Sequence, residues 1–157
     1  LFVVPLATRE TRLQFEAAMH RQQAGDIPFR LLFGHAQDAA GAADVVLVAS
    51  GTATLEVALI KRPMVITYKM SPTSHWLMQR MGQLLHVGLP NILAGRLIVP
   101  EILQDDATPE NLAAALYQLY EDRKGAAELN EVYTGIHQQL KQNTAQKAAE
   151  AIIECLN

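Results

Sequence analysis

Short apolar runs alternate with helical patterns over the first two thirds of the chain. Leu1 to Ala7 is an almost unbroken apolar run, the pattern of a strand covered on both faces. Thr8 to Gln23 follows with helical spacing, Thr8 fitting an N-cap and Leu13, Ala17 and His20 falling on one side. Gly25 and Pro28 interrupt that pattern, and Phe29 to Phe33 reads as a second strand ending at Gly34. An alanine-rich helix is expected from about Asp38 to Ala43. The clearest unit comes next: an apolar strand Asp44–Ala49, a Ser50-Gly51 turn, a helix from Thr52 to Arg62 stopped by Pro63, and a strand Met64–Tyr68. Strand, short helix and strand in that order require a right-handed crossover, hence a parallel sheet.

The pattern changes beyond Lys69. Ser71-Pro72 opens a helix reaching about Leu85, with Leu77, Met81, Leu84 and Leu85 on one face. Val87 to Glu101, with Gly88, Pro90, Gly95 and Pro100, reads as irregular. Thr108-Pro109-Glu110 then sets an N-cap, a proline and an acid in the order that starts a helix. Leu112, Leu116, Leu119 and Tyr120 form its stripe and Gly125 its expected stop. Two further helices carry Leu129, Val132, Tyr133, Ile136 and Leu140, then Ala148, Ala151, Ile152 and Cys155. The expected fold class is α/β: a Rossmann-like parallel sheet flanked by helices over residues 1–125, with a C-terminal helical tail over 126–157. The earlier helices already cover a sheet, so the stripe of the tail is expected to pack on a further domain or on a partner subunit.

Composition narrows the function classes. Half of the 157 residues are hydrophobic, enough for one domain with a real core. The net charge of −3 speaks against nucleic acid as a partner, since phosphate backbones call for a basic face. The single cysteine, Cys155, permits no internal disulfide and fits cytoplasmic residence. His20, His75, His86 and His137 lack ligand spacing, so neither a metal nor another cofactor is expected. No apolar run reaches the roughly eighteen residues of a membrane span. The chain opens inside a strand and without a methionine, and is expected to be a fragment of a longer protein.

Ligands of open parallel sheets bind beyond the carboxyl ends of the strands. The richest such end is Ser50-Gly51-Thr52-Ala53-Thr54-Leu55-Glu56. Gly51 lets an anion approach the backbone, and the free amides at the helix start favour negative charge. Ser50, Thr52 and Thr54 bring hydroxyl groups to the same place. Glu56 shares a helix face with Thr52 one turn on, where its carboxylate suits the vicinal diol of a ribose. Together they describe a nucleoside diphosphate lying across a helix end. The same residues also suit a plain N-cap followed by a solvated carboxylate, and the motif alone leaves both open.

Longer stretches carry a resemblance. Leu47-Val48-Ala49-Ser50-Gly51-Thr52-Ala53-Thr54-Leu55-Glu56 resembles the donor-binding motif of lipid-A-disaccharide synthases. Pro63-Met64-Val65-Ile66-Thr67-Tyr68-Lys69 is similar to the strand that follows it. Leu89-Pro90-Asn91-Ile92-Leu93-Ala94-Gly95-Arg96, then Val99-Pro100-Glu101 and Leu103-Gln104, resembles the family's most distinctive stretch. Gly88 departs from it, standing where a serine is expected in many relatives.

The resemblance implies the donor half of a two-domain GT-B glycosyltransferase. Such an enzyme transfers 2,3-diacylglucosamine from UDP to diacylglucosamine 1-phosphate, making lipid A disaccharide and releasing UDP. It implies donor contacts at Ser50, Gly51, Thr52, Ala53, Thr54, Glu56 and Asn91, and backbone contacts with the base at Gly34 and His35. No catalytic residue is expected within this chain, because the phosphate loop and the general base lie upstream in the family. His35 itself is not expected to act as a base, since no carboxylate partner is set by spacing. The implied partners are a UDP-sugar, a lipid-linked acceptor, and an N-terminal domain or second subunit on the C-terminal helices. Trp76, Met78 and Met81, with Lys69 and Arg80, would suit acyl chains or peripheral contact with the inner membrane. Two rivals share parts of this plan: a UDP-N-acetylglucosamine 2-epimerase and a nucleotide-binding module without activity.

Overall fold

The computed structural model describes residues 1–71 and 86–156. Strand β1 (Phe2–Leu6), helix α1 (Arg9–Arg21) and strand β2 (Phe29–Phe33) form the first unit. β1 and β2 pair in parallel, Phe2 opposite Phe29 and Leu6 opposite Phe33. Helix α2 (Ala36–Ala42) leads to β3 (Val46–Ala49), α3 (Thr52–Leu59) and β4 (Met64–Tyr68). α4 (Leu89–Ala94) and β5 (Glu101–Leu103) follow, and a parallel three-stranded sheet runs in the order β3-β4-β5. A 3-10 turn at Gln104–Asp106 leads into α5 (Pro109–Glu121), α6 (Arg123–Leu140) and α7 (Thr144–Leu156). The parallel pairing and flanking helices are those of a Rossmann-like α/β fold. Among the described residues the strands fall into two ladders, and none joins β1 to β3.

Local chemistry explains the helix boundaries. The Thr8 hydroxyl accepts from Thr11 N–H at 3.1 Å while the Thr11 side chain accepts from Thr8 N–H, a reciprocal cap that starts α1. Thr108 likewise accepts from Asn111 N–H at 3.2 Å, with Pro109 at the first helical position of α5. The expected stop at Gly125 lies elsewhere. Asp122 ends α5 and caps α6, accepting from Gly125 N–H at 2.8 Å, so the glycine sits inside the first turn of α6. The segment expected to be irregular also holds order, because Gly88 and Gly95 bracket the single short helix α4, with Pro90 in its first turn. Gly95 closes it in the left-handed region at φ 65°. β5 went unseen in the sequence, being only three residues long and preceded by Pro100.

The core sits on β4, whose Met64, Val65 and Ile66 are wholly buried. Val57 and Ala58 of α3, Val99, and Leu129, Tyr133 and Ile136 of α6 close around Met64 and Ile66. Each of the Val, Leu, Ile and Met side chains among them contributes about 1.5–3 kcal/mol by leaving water. This corrects the expected division at residue 126. The stripe Leu129, Val132, Tyr133 and Ile136 belongs to this domain's own core, packed against α3 and α4. Within 126–157 the exposed part is α7, with Ile152 and Ile153 about 60% exposed. The face of α1 is corrected too. Leu13, Ala17 and His20 are exposed, and Phe15, Ala18 and Met19 are the half-buried side. The Phe15 ring meets Phe29 edge-on at 5.5 Å. The expected helix over 72–85, with Trp76, Met78, Arg80 and Met81, lies outside the described residues.

Candidate functional site

The carboxyl ends of the parallel strands gather the candidate residues into two neighbouring turns. At the end of β3, Ser50 N–H donates to Thr67 O at 2.9 Å and extends the ladder by one residue. Gly51 then turns the chain at φ 150° and ψ −165°, a region open essentially to glycine. A Cβ built on Gly51 would meet nothing within 4 Å, so the backbone there is open to an approaching group. α3 starts immediately afterwards, and its first amides have no intrahelical acceptor. The N-cap residue, Gly51, has no side chain to cap them. An open, uncapped and positively polarised helix start suits an anion.

The hydroxyl groups are less free than the sequence implied. Ser50 donates to Val87 O at 2.9 Å, and the wholly buried Thr54 donates to Gly51 O at 2.7 Å. Thr52 is exposed, and its hydroxyl is the one in the motif whose proton is not already placed within the fold. The backbone of Gly51, Thr52 and Ala53, with the Thr52 side chain, is therefore the part of this turn left open.

The second turn lies at the end of β2. Gly34 N–H donates to Leu6 O at 2.9 Å, and Gly34 and His35 both take left-handed conformations, at φ 69° and 54°. This fold of the backbone delivers the chain into α2. His35 does have a carboxylate partner: Asp38, one turn on, brings Oδ2 to 3.0 Å from Nδ1, so the expectation of none is corrected. Both side chains are largely in solvent. Gln37 links the two turns, its Nε2 donating to Glu56 Oε2 at 3.2 Å. Glu56 is exposed and one turn into α3, with Oε1 left to accept from a ligand.

Asn91 stands apart from these residues. It is wholly buried, its Nδ2 donating to Val99 O at 3.0 Å and to Glu101 Oε1 at 2.7 Å. Its Oδ1 accepts from Ile98 N–H at 2.8 Å and Val99 N–H at 3.1 Å. Those four bonds use the whole capacity of the amide. Among the described residues no group of three or more His, Cys, Asp or Glu is placed to hold a metal ion.

The family model for lipid-A-disaccharide synthetase matches residues 1–156. The chain belongs to the lipid-A-disaccharide synthetase family. Its relatives include lipid-A-disaccharide synthases of Dechloromonas aromatica (strain RCB), 73% identical, and of Azoarcus sp. (strain BH72), 56% identical. The first comparison covers 100% of this chain and 41% of the relative, the second 100% and 40%. A third, from Aeromonas hydrophila, is 45% identical over 99% of this chain and 40% of its own length. The chain thus spans about two fifths of the length of these synthases. Membership separates it from the epimerase alternative.

Proposed function

We propose that this chain is the UDP-sugar-binding domain of a glycosyltransferase that makes lipid A disaccharide. The observation that carries the reading is the open, uncapped start of α3 at Gly51, with Glu56 held one turn further on. The diphosphate of UDP-2,3-diacylglucosamine lies against the Gly51, Thr52 and Ala53 amides. The Glu56 carboxylate accepts from the ribose hydroxyls, oriented by Gln37, and the Gly34-His35 backbone meets the base. Asn91 acts from within the fold by shaping the loop before β5.

The reaction follows from that placement. The acceptor hydroxyl oxygen bonds to the anomeric carbon on the face opposite UDP as the bond from that carbon to the diphosphate oxygen breaks. UDP departs with the electron pair, and the hydroxyl proton passes to a base in the rest of the enzyme. Helix dipole and amide donors stabilise the charge that grows on the diphosphate. The lipid-linked acceptor and the remaining half of the cleft come from the part of the enzyme outside this chain, and α7 offers that part a docking face. Among the described residues no helix is long and apolar enough to cross a membrane. The enzyme works at the cytoplasmic surface of the inner membrane, where both lipid substrates are.

The test is Glu56→Ala in the full-length enzyme, followed by titration calorimetry with UDP. Affinity is expected to fall by about 1–3 kcal/mol, the scale of hydrogen bonds to a charged group. Unchanged affinity would make Glu56 a solvated surface residue.

A further inference from the structure

Glu101 stands at the start of β5, in a different element from every residue assigned above to the donor. Its carboxylate collects three donors. Oε2 accepts from Val87 N–H at 2.9 Å, and Oε1 accepts from Gly88 N–H at 2.9 Å and Asn91 Nδ2 at 2.7 Å. The Val87-Gly88 turn is thereby fixed at its two amides. The carbonyl of the same Val87 accepts the Ser50 hydroxyl at 2.9 Å. A continuous chain of contacts therefore runs from Glu101 through the Val87 peptide to Ser50, the residue before Gly51.

We infer that Glu101 is a positioning residue for the donor turn: it holds the Val87-Gly88 segment in the one place where Val87 O can anchor Ser50. The inference rests on the proposed donor reading of Ser50–Glu56 and adds a control point outside it. Gly51 sits in a sparsely populated backbone region and has no neighbour at its Cβ position to brace it. What restrains the turn comes from its flanks: Ser50 on one side, and on the other Thr54, whose hydroxyl reaches back to Gly51 O. The Ser50 anchor is only as firm as the peptide it grips. A carboxylate suits that task because it accepts on both oxygens, whereas an amide of equal size must present an NH2 to at least one N–H donor.

The experiment uses the full-length enzyme with Glu101→Gln, Ser50→Ala and the double variant. Wild-type enzyme is first examined by hydrogen exchange with and without UDP, where protection of the Ser50–Glu56 amides is expected. Absence of that protection overturns the donor reading itself, and this inference with it. With protection in hand, Glu101→Gln is expected to raise the KM for the UDP-sugar about tenfold and Ser50→Ala about fivefold. The KM for the acceptor, which binds outside this chain, should stay at its wild-type value. Hydrogen exchange in the variants should quicken around Ser50–Glu56 and keep its wild-type rate along β4, which general loosening of the fold would not spare. The double variant should be no worse than Glu101→Gln, because both changes cut one chain of contacts. A wild-type donor KM in Glu101→Gln, or losses that multiply in the double variant, would overturn the inference. Should Glu101→Gln not fold, Ser50→Ala decides alone, and an unchanged donor KM there is equally fatal.

Discussion

At Gly88 a methyl group would stand 2.3 Å from Ile66 Cδ1 and 3.1 Å from Glu101 Oε1. The backbone there is ordinary, at φ −87°, so the constraint is one of space. Gly88→Ala should cost about 1–3 kcal/mol, as overpacking does. Ile66→Val removes the offending Cδ1, and adding it should recover part of the loss in urea unfolding. No recovery would place the constraint on the carboxylate instead. Gly51 is the opposite case: space is open, but the conformation excludes side chains. Gly51→Ala should lose about 1–3 kcal/mol that no neighbouring substitution restores. The helix caps at Thr8 and Thr108 were legible in the sequence because their partners lie three residues away. The bonds of Asn91 were not, since their partners are assembled from the turn before β5 and from β5 itself. The His35–Asp38 pair has the same spacing and is open to the same reasoning.

Between elements, the terminal helices divide at residues 141–143. α6 supplies Leu129, Tyr133 and Ile136 to the core, whereas α7 is exposed throughout its described side chains. Hydrogen exchange of this chain should show residues 129–136 protected like β4 and residues 148–155 exchanging freely. Equal protection in both would mean that α7 has found a surface. Periodicity revealed both stripes but not which one the sheet would take, because two helices of similar pattern differ only in what lies opposite. Tyr133 makes α6 sensitive to alkali. It is wholly buried, its hydroxyl has no hydrogen-bond partner among the described residues, and burial pushes its phenol above the ordinary value. The fold therefore favours the neutral phenol. That contribution is complete below the unfolded value of about 10 and is lost as pH rises above it. Tyr133→Phe should match or exceed the wild type in urea at pH ~8. It should also lose less stability between pH ~9 and ~11, and a parallel decline would dismiss the phenol as the cause.

For the whole molecule, the parallel α/β class was readable from the order of apolar runs, since β3, α3 and β4 admit one handedness. The split into two ladders was not readable, because pairing partners are absent from a one-dimensional pattern. The proposed site rests on a motif visible at Ser50–Glu56, but which hydroxyl stays free depends on Val87 and on the buried setting of Thr54. With about two fifths of the synthase length present, this chain alone should release no UDP when donor and acceptor are supplied. Turnover by the purified chain would contradict the division of the cleft. The two ladders have a thermal consequence. β3, β4 and β5 are tied to most of the core, whereas Leu6, still 8% exposed, is the one buried residue among β1, α1 and β2. α2, touching β1 on one side and α3 on the other, bridges them. Such a joint transmits little cooperativity, so heating should loosen residues 1–33 first and the β3–β5 block later. The calorimetric enthalpy should then exceed the van't Hoff enthalpy, the mark of a molecule that melts in two instalments.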